Sequence, residues 1–388
     1  MSVLGSPWRF SVVLAYAAFI LVGLGTGVSG VLLPAQIDDY GVDKATVGIT
    51  FFAFSAGFML AGASSGALIH RLGTRIALAV GGGAFVAAAL YTAIRPSFIG
   101  LIVVQLFVGY GTGLLESVLN TYLTGLPSAT TLLNRLHAFF GVGALLGPLL
   151  AAWLVGFLPW TAVWLVLGLI AVPLVIGFLV VFPRREVAAA GEAVQTRLLP
   201  TVLRSPVVVL ASVFLAVYVG LEIGVGNWGF TFLVDEHAQV DLVAGYTVSG
   251  YWLGLTLGRF LISPIAVRFG VGPTGITFGC LAGVTASAAL IWVAPGYAVA
   301  AVGFVLLGFF LGPIFPTAMA VVPNLVPDRL VPTAIGVMNG VSVVGGSVLP
   351  WMAGAIAQSV GVWTLMPFAI VLGLVQVGIW RMIVSRSR

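Results

Sequence analysis

The sequence predicts an all-α membrane protein of twelve transmembrane helices, arranged as two six-helix bundles related by pseudo-symmetry. Three observations carry that prediction. First, 60% of the 388 residues are hydrophobic and 7% are charged, whereas a soluble domain is about a quarter charged, so hydrocarbon must solvate most of the surface. Second, the apolar residues fall into roughly twelve stretches, each close to the ~20 residues a helix needs to cross a bilayer. Third, the two halves of the chain share a repeat. Barrel strands would be about half as long and would alternate apolar with polar residues, which these stretches do not.

The spans follow in order along the chain. The first, 10–33, begins after Arg9; it is longer than a signal-peptide core and no small-residue cleavage site follows it, so it reads as a retained helix. Spans at 44–69, 74–94, 97–123, 132–157 and 160–182 complete the first bundle, residues 1–182. The longest polar interruption, 183–205, opens with Pro183-Arg184-Arg185-Glu186, ends at Arg204-Ser205, and reads as a cytoplasmic linker. Spans at 206–234, 242–267, 272–294, 297–322, 330–357 and 361–383 then form the second bundle, 206–388. Sliding one half onto the other at a single offset lays Val22-Gly23-Leu24 on Val219-Gly220-Leu221, Gly57 on Gly254, Arg71 on Arg268, Gly73 on Gly270 and Gly143 on Gly340. Small residues four apart, at Gly109/Gly113, Gly143/Gly147, Gly250/Gly254/Gly258 and Gly336/Gly340, are expected to let helices approach closely.

Charge sets the expected orientation. With both termini inside, Arg9, Arg71, Arg75, Arg184, Arg185, Arg197, Arg204, Arg268, Arg329, Arg381, Arg386 and Arg388 fall at the cytoplasmic side, and only Lys44 and Arg95 fall outside. The expected location is therefore the cell (inner) membrane, crossed many times. The net charge of +5 is mostly this bias and needs no nucleic acid to explain it. A lone cysteine, Cys280, excludes an intrachain disulfide and a cysteine-based metal site. No phosphate-cradling loop or paired-histidine metal motif is present, so no cofactor or metal is expected. Gly62-Ala63-Ser64-Ser65-Gly66 matches a serine-hydrolase pattern, but the nearest histidine, His70, belongs to a loop signature, so an enzyme is not expected.

Two carboxylates carry the functional reading. Glu222 and Glu116 each lie inside an apolar span, and a charge at mid-bilayer costs at least ~2.5–3.5 kcal/mol, so it is retained where it meets a polar pathway or partner. A carboxyl group in an apolar setting takes up a proton more readily, and a nearby cation does the reverse; Arg135 and Arg259 are the candidate cations, with plain anchoring as their alternative role. Thr112, Glu116 and Asn120 are four apart and share one helical face, able to bind hydroxyl groups, relay a proton, or form an interhelical ladder. His137, Asn227, Trp228 and Asn339 are further candidates for substrate contact; Trp228 also fits an interfacial belt.

Gly66-Ala67-Leu68-Ile69-His70-Arg71-Leu72-Gly73-Thr74-Arg75 resembles the loop signature of the major facilitator superfamily, with His70 where an acid is usual. Its second copy keeps Gly258-Arg259 and Arg268-Phe269-Gly270. The resemblance implies gating roles for His70, Arg71, Arg75, Arg259 and Arg268, and a substrate site near mid-membrane between two repeated halves. Glu116-Ser117-Val118-Leu119-Asn120, Leu133-Asn134-Arg135-Leu136-His137, Tyr218-Val219-Gly220-Leu221-Glu222, Phe315-Pro316-Thr317 and Met338-Asn339-Gly340 are similar to segments of the fucose–galactose–glucose:proton symporter family, the L-fucose permease-like group. That likeness implies a proton-coupled role for Glu116. The family's first-helix acid is replaced here by Gly30, which leaves Glu222 to take over part of the coupling or leaves coupling lost. The expectation is a monomeric proton-coupled secondary carrier, most readily a sugar/proton symporter working by alternating access, whose partners are a small-molecule sugar, the proton and the lipid bilayer. The alternative is an exporter of amphipathic or hydrophobic compounds such as drugs or lipids, favoured by the scarcity of polar residues in the spans.

Overall fold

The computed structural model describes residues 6–182, 192–293 and 296–386, and within them every regular element is helical. The first compact unit holds α1 (Ser6–Tyr40), α3 (Ile49–Leu72), α4 (Thr74–Ala93), α5 (Phe98–Thr124), α6 (Ala129–Val155) and α7 (Thr161–Val181). The second holds the short α2 (Lys44–Val47), α8 (Glu192–Leu203), α9 (Pro206–His237), α10 (Asp241–Arg268), α11 (Pro273–Trp292), α12 (Tyr297–Leu311), α13 (Ile314–Val321), α14 (Val331–Ser359) and α15 (Leu365–Ser385). Residues 183–191 of the expected linker, with Arg184 and Arg185, and the terminal Met1 and Arg388 lie outside the described residues.

Among the described residues, eleven stretches are long and apolar enough to cross a bilayer, with α12 and α13 together forming one of them. The twelfth crossing is α10. Its 28 residues suffice at about 1.5 Å per residue, but Tyr246, Thr247, Ser249, Tyr251 and Arg259 dilute its apolar character. The expected tenth span is broken at Gly312-Pro313, where proline lacks the N–H that a continuous helix would use. The first span runs on past its expected end to Tyr40, with Pro34 inside it.

The repeat seen in sequence reappears as packing. In the first unit α1 lies against α6 and α7, α3 against α5, and α4 against α5 and α7. In the second, α9 lies against α14 and α15, α10 against α12, and α11 against α12 and α15. The glycines explain how close these seams are. A Cβ at Gly57 would land on the Leu106 carbonyl, and one at its repeat mate Gly254 on the Val305 carbonyl, so backbone meets backbone in both places. Likewise, a Cβ at Gly23 would meet the Phe140 carbonyl and one at Gly143 the Ile20 carbonyl. The expected pair Gly336/Gly340 does not behave this way, since nothing lies within 4 Å of a Cβ at either. On α14 the contact is made instead by Gly345, packed on the Ala216 carbonyl.

Each unit has two chemically different rims. Tyr91 and Trp153 are exposed at one end of the first unit, and Tyr246, Trp292, Tyr297 and Trp363 at the matching helix ends of the second. At the opposite ends stand exposed arginines, Arg9 and Arg71 in the first unit and Arg204, Arg268, Arg329, Arg381 and Arg386 in the second. At the aromatic rim of the second unit, α2 is capped by Asp43, whose carboxylate accepts from the Thr46 N–H at 2.6 Å. The Lys44 N–H donates to Gln358 Oε1 at 3.0 Å, and Trp351 packs on Gly48.

Candidate functional site

In the second unit, α9 and α10 bring together the most unusual group of side chains. Gly254 and Gly258 turn one face of α10 onto α12, and Arg259 on another face reaches α9. Its Nη2 donates to Glu222 Oε1 at 3.2 Å, with the two side chains 27% and 10% exposed. Structural anchoring is thus not the sole role of Arg259: it forms an ion pair with Glu222. Either charge alone in a bilayer-spanning bundle is expensive, and pairing offsets much of that cost. The Tyr251 hydroxyl, two helical turns before Arg259, donates to the Glu222 backbone carbonyl at 2.9 Å and pins α10 to α9 at this level.

Tyr218 lies one turn before Glu222, fully buried, with its ring 5.8 Å from that of Phe315. Its hydroxyl is close enough to feel both Glu222 and Arg259. Yet the hydroxyl and Arg259 Nε make no hydrogen bond of ordinary length and angle among the described residues. The hydroxyl thus sits near both charged groups without a well-formed hydrogen bond to either. Asn227 is buried on α9. Trp228 is 1% exposed and its indole N–H donates to the Pro350 carbonyl at 2.8 Å. Such burial rules out the interfacial-belt alternative for Trp228. Asn339 is exposed on α14, and its backbone carbonyl accepts from the Ser342 hydroxyl at 2.8 Å.

In the first unit, Thr112, Glu116 and Asn120 do share a face of α5, but they do not form an interhelical ladder. The Asn120 amide donates to the Glu116 backbone carbonyl at 2.9 Å, within its own helix. The Glu116 carboxylate has no hydrogen-bond or ion-pair partner among the described residues, and Arg135 is not brought to it. Arg135 on α6 instead lies near Tyr16 of α1, whose ring stacks on Phe139 at 4.8 Å. Next to it, His137 meets the Phe19 ring edge to face at 5.6 Å.

The loop-signature residues divide. His70, Arg71 and Arg268 are exposed at helix ends, and the turn glycines that follow them, Gly73 and Gly270, have φ of 82° and 68°, a left-handed region that suits glycine. Arg75, by contrast, is engaged within its own unit: its Nε donates to the Phe182 carbonyl at 2.6 Å and caps the end of α7. The Ser64 hydroxyl of the hydrolase-like pattern is occupied by the Leu60 carbonyl at 2.8 Å and the Tyr110 hydroxyl at 3.2 Å.

Sequence reasoning gave no role to Tyr218 and Tyr251, although the four-residue step from Tyr218 to Glu222 was a usable signal. It also missed a clamp at the aromatic rim of the first unit. There Arg95 holds Asp39 through Nε and Nη2 at 2.8 Å each, Trp160 Nε1 donates to the same carboxylate at 2.9 Å, and Arg95 lies 5.7 Å from the Tyr40 ring centre. This pairing holds the Arg95 guanidinium above its ordinary pKa.

The sequence model of the Major Facilitator Superfamily matches residues 15–242 and 223–388. Bypass of stop codon protein 6 of Saccharomyces cerevisiae is 27% identical, over 91% of this chain and 78% of its own length. A glucose/galactose transporter of Brucella abortus is 24% identical, over 89% of this chain and 87% of its own, in keeping with the symporter-like motifs. The crystal structure of the nucleoside transporter NupG superposes with a TM-score of 0.80 at 14% identity, covering 98% of this chain and 99% of that one.

Proposed function

The chain belongs to the major facilitator superfamily, a multi-pass membrane transporter by fold and kinship, and from that premise we propose that it is a proton-coupled sugar symporter working by alternating access. The observation that carries the reading is a carboxylate, Glu116, set within a bilayer-spanning bundle with no cation or hydrogen-bond donor to hold its charge among the described residues. Such a group can exist as the neutral acid in hydrocarbon and release its proton when water reaches it. Glu222 is the second carboxylate of the coupling machinery, acting through its pair with Arg259. The sugar assignment is supported by the symporter-like motifs and by the relative named a glucose/galactose transporter.

In this reading Asn120, His137, Asn227, Trp228 and Asn339 supply amide, imidazole and indole groups to the substrate, and His70, Arg71, Arg75, Arg259 and Arg268 serve gating. The protein sits in the cell (inner) membrane as a monomer, with both termini cytoplasmic, as the arginine rims favour. The domain organisation proposed is a bundle at 1–182, a linker at 183–205 and a bundle at 206–388. Transport by proteoliposomes tests the function: a pH gradient with the outside acidic should drive accumulation of a labelled hexose, and collapse of the gradient should abolish it. Hexose-independent efflux of a lipophilic cation would instead support the exporter.

A further inference from the structure

We infer that the Tyr218–Glu222–Arg259 cluster is a carboxylate-binding subsite, so that the sugar taken by this carrier is an acidic one, a hexuronate or aldonate, which replaces Glu222 on Arg259. The inference rests on the sugar-transport reading for the sugar part and on geometry for the acid part. Arginine presents a planar fork suited to gripping a carboxylate through two parallel hydrogen bonds. Here that capacity is only partly spent. Glu222 takes one guanidinium nitrogen, Nη2, at 3.2 Å, while Nε is buried without a hydrogen-bond partner. The hydroxyl of fully buried Tyr218 lies close to both Arg259 and Glu222 and likewise lacks a well-formed hydrogen bond among the described residues. A structural salt bridge in a bilayer would be expected to satisfy its donors, because each one left unmade in a dry setting is costly.

The charges also fit an exchange. When Glu222 gains one proton, Arg259 loses its counter-charge, and a ligand carrying one negative charge restores neutrality at the site. One proton and one anion therefore enter together, and the net charge of the cluster is unchanged. The titratable groups packed around Glu222 permit this. Besides Tyr218, α10 brings Arg259 and Tyr251. By sequence α13 and α14 bring none, α12 only Tyr297 at its first residue, and α15 only Arg381 near its last turn, while α8, beside the start of α9, carries Glu192 and Arg197.

The test is calorimetric binding of D-glucose, D-glucuronate and benzoate to the purified full chain between pH 6 and pH 8. Glucuronate should bind at least tenfold tighter than glucose, and more tightly at the lower pH. In Glu222→Gln the affinity for glucuronate should rise and lose its pH dependence, because a neutral amide competes for Arg259 less strongly than the carboxylate it replaces and takes up no proton. The paired change Glu222→Gln with Arg259→Gln, which leaves no buried charge to unfold the protein, should lose glucuronate binding. If glucose binds as tightly as glucuronate, this inference fails and the sugar reading stands. If glucuronate and benzoate bind alike and glucose does not, the carboxylate subsite stands and the sugar reading fails. An absence of acid binding to the parent protein, or binding untouched by the paired change, overturns the inference.

Discussion

Replacing Arg259 with Met should destabilise the protein by about 3 kcal/mol, and removing Glu222 as well should restore most of the loss. The estimate starts from the observed contact of 3.2 Å with side chains 27% and 10% exposed. At about 4 Å between charge centres and an effective dielectric near 20, the attraction is about 4 kcal/mol, and the desolvation of both groups offsets part of it. Breaking a buried pair from one side costs about 3–5 kcal/mol because the survivor is stranded; the partial exposure of Arg259 places this case at the lower end. Arg259→Met strands a carboxylate. Glu222→Gln is milder, since the amide oxygen still accepts from Arg259. The assay is a double-mutant cycle on detergent-purified parent, Arg259→Met, Glu222→Gln and the paired variant, following reversible denaturant unfolding by tryptophan fluorescence. A coupling of about 2 kcal/mol is expected; additivity within about 0.5 kcal/mol would show that the two groups do not interact.

Gly57→Ala should destabilise by about 1–3 kcal/mol because its methyl group meets backbone across the α3–α5 seam, whereas Gly62→Ala, with nothing within 4 Å, should be neutral or stabilise by up to about 1 kcal/mol; thermal unfolding of the two variants compares them directly. Glu116→Gln should abolish gradient-driven sugar accumulation in proteoliposomes while leaving counterflow exchange, and unchanged accumulation would make Glu116 structural. Hydrogen bonds from Thr46, through its side chain and then its N–H, hold the Asp43 carboxyl below the usual carboxylate range. The cap on α2 is thus fully present above about pH 4 and fades as pH falls through the lowered value; Asp43→Ala should show faster hydrogen exchange over 43–48 at neutral pH.

The sequence made the helices legible because bilayer burial demands long apolar runs, and the repeat made their packing order legible. It misjudged α14 because glycine spacing says where helices can approach, not where they do: Gly340 matched the repeat, yet Gly345 makes the contact. The carboxylates stood out by their isolation in apolar spans. Their partners were harder to assign, since Arg135 and Arg259 occupy comparable places in sequence and only α10's rotation onto α12 turns Arg259 toward Glu222. Arg75 illustrates the limit from the other side. It matches a gating signature, but its partner is a backbone carbonyl at Phe182, which no side-chain pattern announces.

The contrasting rims give the two ends of each bundle different sensitivities to their surroundings. Tyrosine and tryptophan rings settle among lipid headgroups by size and amphipathic shape, and their hold changes little with salt. Arginines on the other rim hold through charge, so their grip strengthens with anionic lipid and slackens as ionic strength rises. A change of lipid composition or salt therefore acts more strongly on the arginine end of each bundle than on its aromatic end, where the exposed Arg95 is already paired with Asp39.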